Sequence, residues 1–90
     1  MRKNQKRVDF SKRFDKQLRK APPKVQETFL TRFNYFTDNP FHSVLNNHVL
    51  KGNYKGCRSI NITGDWRAVY REEKDVVIFL VLGTHSELYG

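Results

Sequence analysis

Three stretches hold side chains able to move protons or grip a flat ring. HVLKGNYKGCRSIN contains His48, TGDWR contains Asp65 and Trp66, and GTHSELY contains His85 and Tyr89. An imidazole titrates near ~6.5, close to working pH, so two histidines and one carboxylate form a general acid–base set if they meet on one surface. Each residue taken singly also has a plainer explanation. A loop histidine is commonly solvated, and an aspartate after a glycine is ordinary turn chemistry. A tryptophan usually belongs to a core, and a histidine at a strand end can serve as a cap. His42 has no supporting feature and is assigned to structure. The tail LVLGTHSELYG poses the same choice, because an apolar run stops at Gly83 and then delivers an imidazole, Leu88 and a phenol ring.

Those residues need elements to hold them. Arg7–Phe10 reads as a short strand and Ser11–Lys20 as a helix, with Phe10, Phe14, Leu18 and Ala21 on one stripe at about 100° per residue. The opposite arc carries Lys12, Arg13, Lys16, Arg19 and Lys20. Ala21-Pro22-Pro23 ends this helix, and proline tolerates a first helical turn, so a second helix runs from near Pro23 to about Thr37. Its Val25, Phe29, Phe33 and Phe36 share a face and read as core. Residues 41–56 show no sustained period, and Leu45, Leu50 and Tyr54 favour an ordered loop over a disordered one. Cys57–Ile62 alternates, with Ile60 and Ile62 on one face and Cys57, Ser59 and Asn61 on the other. Thr63-Gly64 suits a tight hairpin with Gly64 at positive φ. Trp66–Arg71 alternates again, and Val76–Leu82 is apolar throughout, as a central strand would be. The expected fold is α+β: two N-terminal antiparallel helices packed on a small, mostly antiparallel twisted sheet. The sheet face opposite the helices is where a ligand would sit.

Ninety residues make one domain, spanning 1–90. Cys57 is the single cysteine, which rules out an internal disulfide framework and suits a reducing compartment. The longest apolar run, Val76–Leu82, is far short of the roughly 20 residues that span a bilayer. The basic start MRKNQKRVDF lacks a following apolar stretch, so no signal peptide is visible and the protein is expected in the cytoplasm, away from membranes. Charge is unevenly spread. Positions 1–24 hold ten Lys/Arg against Asp9 and Asp15, whereas the remainder holds seven of each sign. The whole net charge of +8 therefore belongs to the first quarter. Such clustering points to a polyanion, or to an acidic protein that competes with one.

The order and spacing of the three stretches resemble the RelE/ParE superfamily of bacterial type II toxins, and most closely its YafQ-like ribosome-dependent mRNA interferases. The matching residues are His48, then Leu50, Gly52, Tyr54, Gly56 and Arg58 at alternate positions, then Asp65-Trp66, then Gly83-Thr84-His85 with Leu88, Tyr89 and Gly90. The helix–helix–sheet outline agrees, so the resemblance covers nearly the whole chain. It implies an endoribonuclease that enters the ribosomal A site and cuts the message there, with a labile antitoxin as partner. It also implies a RelE-like microbial RNase fold, with an active site on His48, Asp65, Trp66, His85 and Tyr89. One position departs from the pattern: YafQ-like chains carry another histidine where this one has Asn61. An amide donates and accepts hydrogen bonds but carries no proton through a cycle, so Asn61 is assigned to positioning.

The implied reaction is attack of a 2′-OH on the adjacent phosphate, leaving a 2′,3′-cyclic phosphate and a 5′-OH. It needs a base, an acid and positive charge near the phosphate, and neither metal nor cofactor. His48, Asp65 and His85 are the candidates for proton transfer, with the division of labour open. Lys51, Lys55, Arg58 and Arg67 are candidates for the phosphate, while Trp66 and Tyr89 would hold a splayed base. The basic arc at Lys12, Arg13, Lys16, Arg19 and Lys20 would grip ribosomal RNA. Partners are therefore the ribosome, its mRNA and an acidic, amphipathic antitoxin, with operator DNA reached only through that antitoxin. Two other readings stay open. A ParE-like inhibitor of DNA gyrase would need no proton-transfer set, and a plain RNA-binding module would be indifferent to His85→Ala.

Overall fold

The computed structural model describes residues 6–90, so Arg2 and Lys3 of the basic quarter lie outside the described residues. The elements are β1 (Arg7–Phe10), α1 (Lys12–Lys20), α2 (Pro23–Asp38), β2 (His48–Val49), β3 (Arg58–Asn61), β4 (Trp66–Glu72), β5 (Val76–Thr84) and α3 (His85–Tyr89). Two 3-10 turns, Ser43–Leu45 and Gly52–Tyr54, lie in the long connection between α2 and β3. The sheet has five strands in the order β1-β5-β4-β3-β2. Only β1 and β5 run parallel, and the remaining neighbours are antiparallel. The expected α+β class holds, with the apolar β5 in the sheet interior.

Ser11 explains how the N-terminal part joins. Its hydroxyl accepts from the Phe14 amide at 2.9 Å, capping α1, and donates to the Leu80 carbonyl at 2.7 Å. Further along, the Leu82 amide donates to Gln17 Oε1 at 2.7 Å. α1 thus satisfies the edge of β5 where β1 has run out, which leaves no open ladder there. The helix begins at Lys12, one residue later than expected, with Ser11 as its cap. Phe10 ends β1, and its ring stacks on Phe79 at 5.6 Å between centroids. Phe14, Phe29, Phe36 and Phe79 fill the core with Ile60, Ile62, Tyr70 and Leu82.

β5 is apolar on both faces because both are covered. Between Val69 and Tyr70 the pairing with β5 slips by one residue, from Val81 to Phe79. That bulge lets Val77, Phe79 and Leu82 enter the main core while Leu80 and Val81 meet a second cluster. The second cluster, Cys57, Val69 and Val81 packed by Leu50, Tyr54 and Leu88, lies on the face expected to be open. The tail and the Gly52–Tyr54 turn cover much of that face.

Two local expectations are corrected. Gly64 is not among the residues with positive φ, which are Asn46, Gly52, Gly56 and Gly90. The β3–β4 connection instead turns on Thr63, whose Oγ1 accepts from the Asp65 and Trp66 amides at 3.2 and 3.0 Å. His85 does not lie in a strand end but opens α3. Thr84 caps that helix, and Glu87 returns a bond to the Thr84 amide at 2.8 Å.

Candidate active site

His48 occupies a two-residue strand that pairs with β3, where it stands opposite Ser59. Cross-strand partners in an antiparallel pair project to the same face, so His48, Ser59 and Asn61 share one side of the sheet. Asn46 holds the imidazole. Its backbone adopts a left-handed conformation at φ 47°, and its carbonyl lies 2.8 Å from His48 Nδ1. A carbonyl only accepts, so Nδ1 carries a hydrogen and the neutral ring presents its lone pair at Nε2. The neighbouring Asn47 is fixed from three directions. Its Nδ2 donates to Pro40 O at 2.9 Å and to Tyr70 Oη at 2.7 Å, while its Oδ1 accepts from Arg58 Nε at 2.7 Å.

His85 is exposed at the first residue of α3, four positions before Tyr89 on the same helix face. Their rings meet edge to face at 4.9 Å. The Tyr89 hydroxyl donates to Ser59 Oγ at 3.1 Å, and Tyr54 packs against the Tyr89 ring at 6.1 Å. Contacts thus run from His85 through Tyr89 to Ser59, the residue opposite His48. Asp65 joins by its backbone, accepting from the His85 amide at 2.9 Å. Its carboxylate is exposed and, among the described residues, makes no hydrogen bond to either imidazole. Asn61 pairs with Arg67 on the same face, and its buried Oδ1 has no hydrogen-bond partner among the described residues.

Other expected residues lie elsewhere. Trp66 pairs with Thr84 and projects to the helix side, half-buried against the main core. There it lines a cleft of about 330 Å³ with Arg13, Gln17, Lys20, Tyr54, Glu87 and Leu88. It therefore borders both the basic helix and Tyr54, the neighbour of the Tyr89 ring. Arg58, opposite Tyr70, also projects away from Ser59; besides bonding Asn47 it lies 5.1 Å over the Phe41 ring. The structure ties it to the loop that carries His48 and separates it from the two histidines. Arg67 is on the histidine side, but its Nη1 donates to the carbonyls of Thr63, Gly64 and Trp66 at 3.1–3.2 Å, clamping the turn. Lys51 and Lys55 are exposed around the turn that bears Tyr54, and Lys12, Arg13, Lys16, Arg19 and Lys20 are exposed along α1. His42 is structural: its Nδ1 accepts from the Val44 amide at 3.1 Å and its ring packs on Tyr35 at 4.5 Å.

Sequence reading passed over Ser59 and used Gly83 only as a motif marker. Alternation already put Ser59 on the face of Asn61, but a serine in a strand carries no signal of its own. At Gly83 a Cβ would stand 3.2 Å from Glu87 Oε1 and from Leu88, so the absent side chain is what lets α3 lie close to the sheet.

Comparison with known proteins agrees with this architecture. A family model described as "Bacterial toxin of type II toxin-antitoxin system, YafQ" matches residues 6–90. The mRNA interferase toxin YafQ of Escherichia coli K12 is 33% identical over 51 residues, an alignment covering 57% of this chain and 55% of that protein. Its counterpart in E. coli B/BL21-DE3 is 24% identical over 90 residues, covering 96% of this chain and 98% of that one. The crystal structure of the E. coli DinJ-YafQ toxin-antitoxin complex contains a chain that superposes with a TM-score of 0.78 at 23% identity, covering 96% of this chain and 99% of that one. With a family model matched from Lys6 to the last residue, the chain belongs to the YafQ family of type II toxin–antitoxin toxins.

Proposed function

We propose that this chain is an mRNA interferase that cuts messages in the ribosomal A site by 2′-OH attack and so halts translation. The observation that carries the reading is the run of contacts from His85 through Tyr89 to Ser59, across the strand pair from His48. Two imidazoles on one side of a sheet are what a concerted proton transfer needs. His48 is assigned as base. Its Nδ1 bond to the Asn46 carbonyl leaves the Nε2 lone pair to take the 2′-OH proton. His85, exposed at the start of α3, is assigned as the acid that protonates the departing 5′-oxygen. Asp65, whose carbonyl accepts from the His85 amide, is assigned to placing that histidine. Asn61 and Arg67 are assigned to orienting the substrate beside these groups. Among the described residues no group of three or more His, Cys, Asp or Glu is placed to hold a metal ion, and the proposed reaction draws only on side chains.

The exposed basic face of α1 serves ribosomal RNA, and the cleft at Trp66, flanked by Arg13 and Lys20, suits a stacked base with its phosphate. A cognate antitoxin is the protein partner, in line with the DinJ-bound relative, and its acidic segment competes for the same basic surface. Contact with operator DNA runs through that antitoxin. A cytoplasmic location follows from the ribosomal target, and no helix among the described residues is long and apolar enough to cross a membrane.

The test is a reconstituted translation mixture with the purified chain, mapping message 5′ ends with and without ribosomes. Cuts confined to translated codons are expected, and His85→Ala should slow them by about 10²–10⁴-fold, the usual contribution of one general acid. Equal cutting by that variant, or equal cutting of naked RNA, would contradict the reading.

A further inference from the structure

Building on the cleavage reading, we propose that Ser59 is a positioning residue whose buried hydroxyl ties the strand opposite His48 to the helix that carries His85. Ser59 is the one fully buried polar residue recorded among the described residues, at 0% exposure. It lies on the face of Cys57, Val69 and Val81, where packing alone would favour alanine or valine. A hydroxyl in such surroundings costs about 1–3 kcal/mol unless bonded. Its partner is the Tyr89 hydroxyl at 3.1 Å.

The geometry of α3 gives that bond its consequence. Five residues are too few to hold a helix in water, so tertiary tethers set its orientation. The Thr84–Glu87 capping box and the His85 amide on Asp65 O fix where the helix begins. Leu88 on the second apolar cluster fixes which side faces the sheet. Tyr89 then steadies the His85 ring itself, because it lies one turn later on the same helix face, with the two rings 4.9 Å apart. Anchoring its hydroxyl on Ser59 therefore turns His85 toward the side of the sheet that holds His48. Ser59 touches neither imidazole and acts only through Tyr89.

The experiment compares the full-length wild type with Ser59→Ala, Tyr89→Phe and the double variant. Each single change removes one oxygen and leaves the apolar packing in place. Histidine-ring NMR titrations and the pH dependence of message cleavage are read together. Both single variants should move the His85 ring resonances and the matching limb of the pH profile in the same sense. Each should lower kcat by about 10- to 100-fold, as a small misplacement of a reacting group does, with KM nearly unchanged. The double variant should be no worse than either single one, since both remove the same bond. Unchanged His85 resonances, or fully additive losses in kcat, would overturn the proposal. A wild type that cuts no message removes the cleavage reading alone, and the ring titrations then uphold or overturn the tie by themselves.

Discussion

Asn46 shows how one backbone conformation decides the tautomer of the ring proposed as base. Left-handed geometry costs most residues roughly 1–2 kcal/mol and suits asparagine better than other non-glycine types. Here it brings a carbonyl to 2.8 Å from His48 Nδ1 and selects the tautomer that can accept a proton at Nε2. Tyr70 is a second residue with a legible environment. Burial pushes its phenol above the ordinary value of 10.0, against the opposing pull of Asn47 and Arg58. A raised pKa means that unfolded chains lose this proton first. Stability is therefore intact below pH ~10 and declines as pH rises through the folded value. Urea midpoints measured from pH 8 to 11 should fall across the upper part of that range. Tyr70→Phe should flatten the fall while costing about 1 kcal/mol at neutral pH, because Asn47 Nδ2 loses an acceptor.

At the scale of elements, the site is a meeting of short pieces that have little stability alone. A two-residue strand carries His48 and a five-residue helix carries His85, and both depend on β3, β4 and β5 for their place. Gly83 tests this dependence. In Gly83→Ala the new Cβ would stand 3.2 Å from Leu88 and from Glu87 Oε1, tighter than most real contacts, so these two side chains of α3 must yield by a few tenths of an ångström. β5 itself is buried on both sides and should hold. The expected outcome is a drop in cleavage of about 10-fold or more with a change in thermal midpoint of only a few degrees, measured by parallel cleavage assays and circular dichroism melts. Loss of stability in proportion to loss of cleavage would show that α3 is merely part of the core.

Over the whole molecule, charge and chemistry are carried by different elements. The excess positive charge is carried by the N-terminal quarter, with five cations exposed along α1, while His48 stands opposite Ser59, to which Tyr89 ties the neighbourhood of the His85 ring. In the proposed function the basic helix docks on rRNA while the histidines handle the message. Affinity for ribosomes should then fall steeply with salt, with a log–log slope of about 0.7–0.9 per phosphate contacted. Removing Lys12, Lys16 and Lys20 together should lower that slope by about 2–3, read from ribosome pelleting at several salt concentrations. Cutting, once the complex has formed at low salt, should be little changed. An unaltered slope would relocate the docking surface.

Much of this was legible in the order of residues. Periodicity near 3.6 marked α1 and α2, alternation marked β3 and β4, and a run without polar residues marked β5 as interior, because these patterns are imposed by the geometry of a single element. The spacing of His48, Asp65-Trp66 and Gly83-Thr84-His85 carried the family. Three matters escaped it. The helix after Thr84 was hidden because five residues contain too little periodicity, and only the capping box with Glu87 hints at it. Trp66 alternates as expected but faces the helices, since which side of a strand meets the core is settled by what packs there. The value of Ser59 rests wholly on Tyr89, thirty positions away. Sequence alone determined the longer elements and the inventory of reactive groups, but not the strand at His48–Val49 or the helix at His85–Tyr89. The tertiary structure decided which of those groups face one another, because side-chain convergence depends on pairing register, on the slip of β5 at Val69–Tyr70 and on the tethering of α3. No local pattern encodes these.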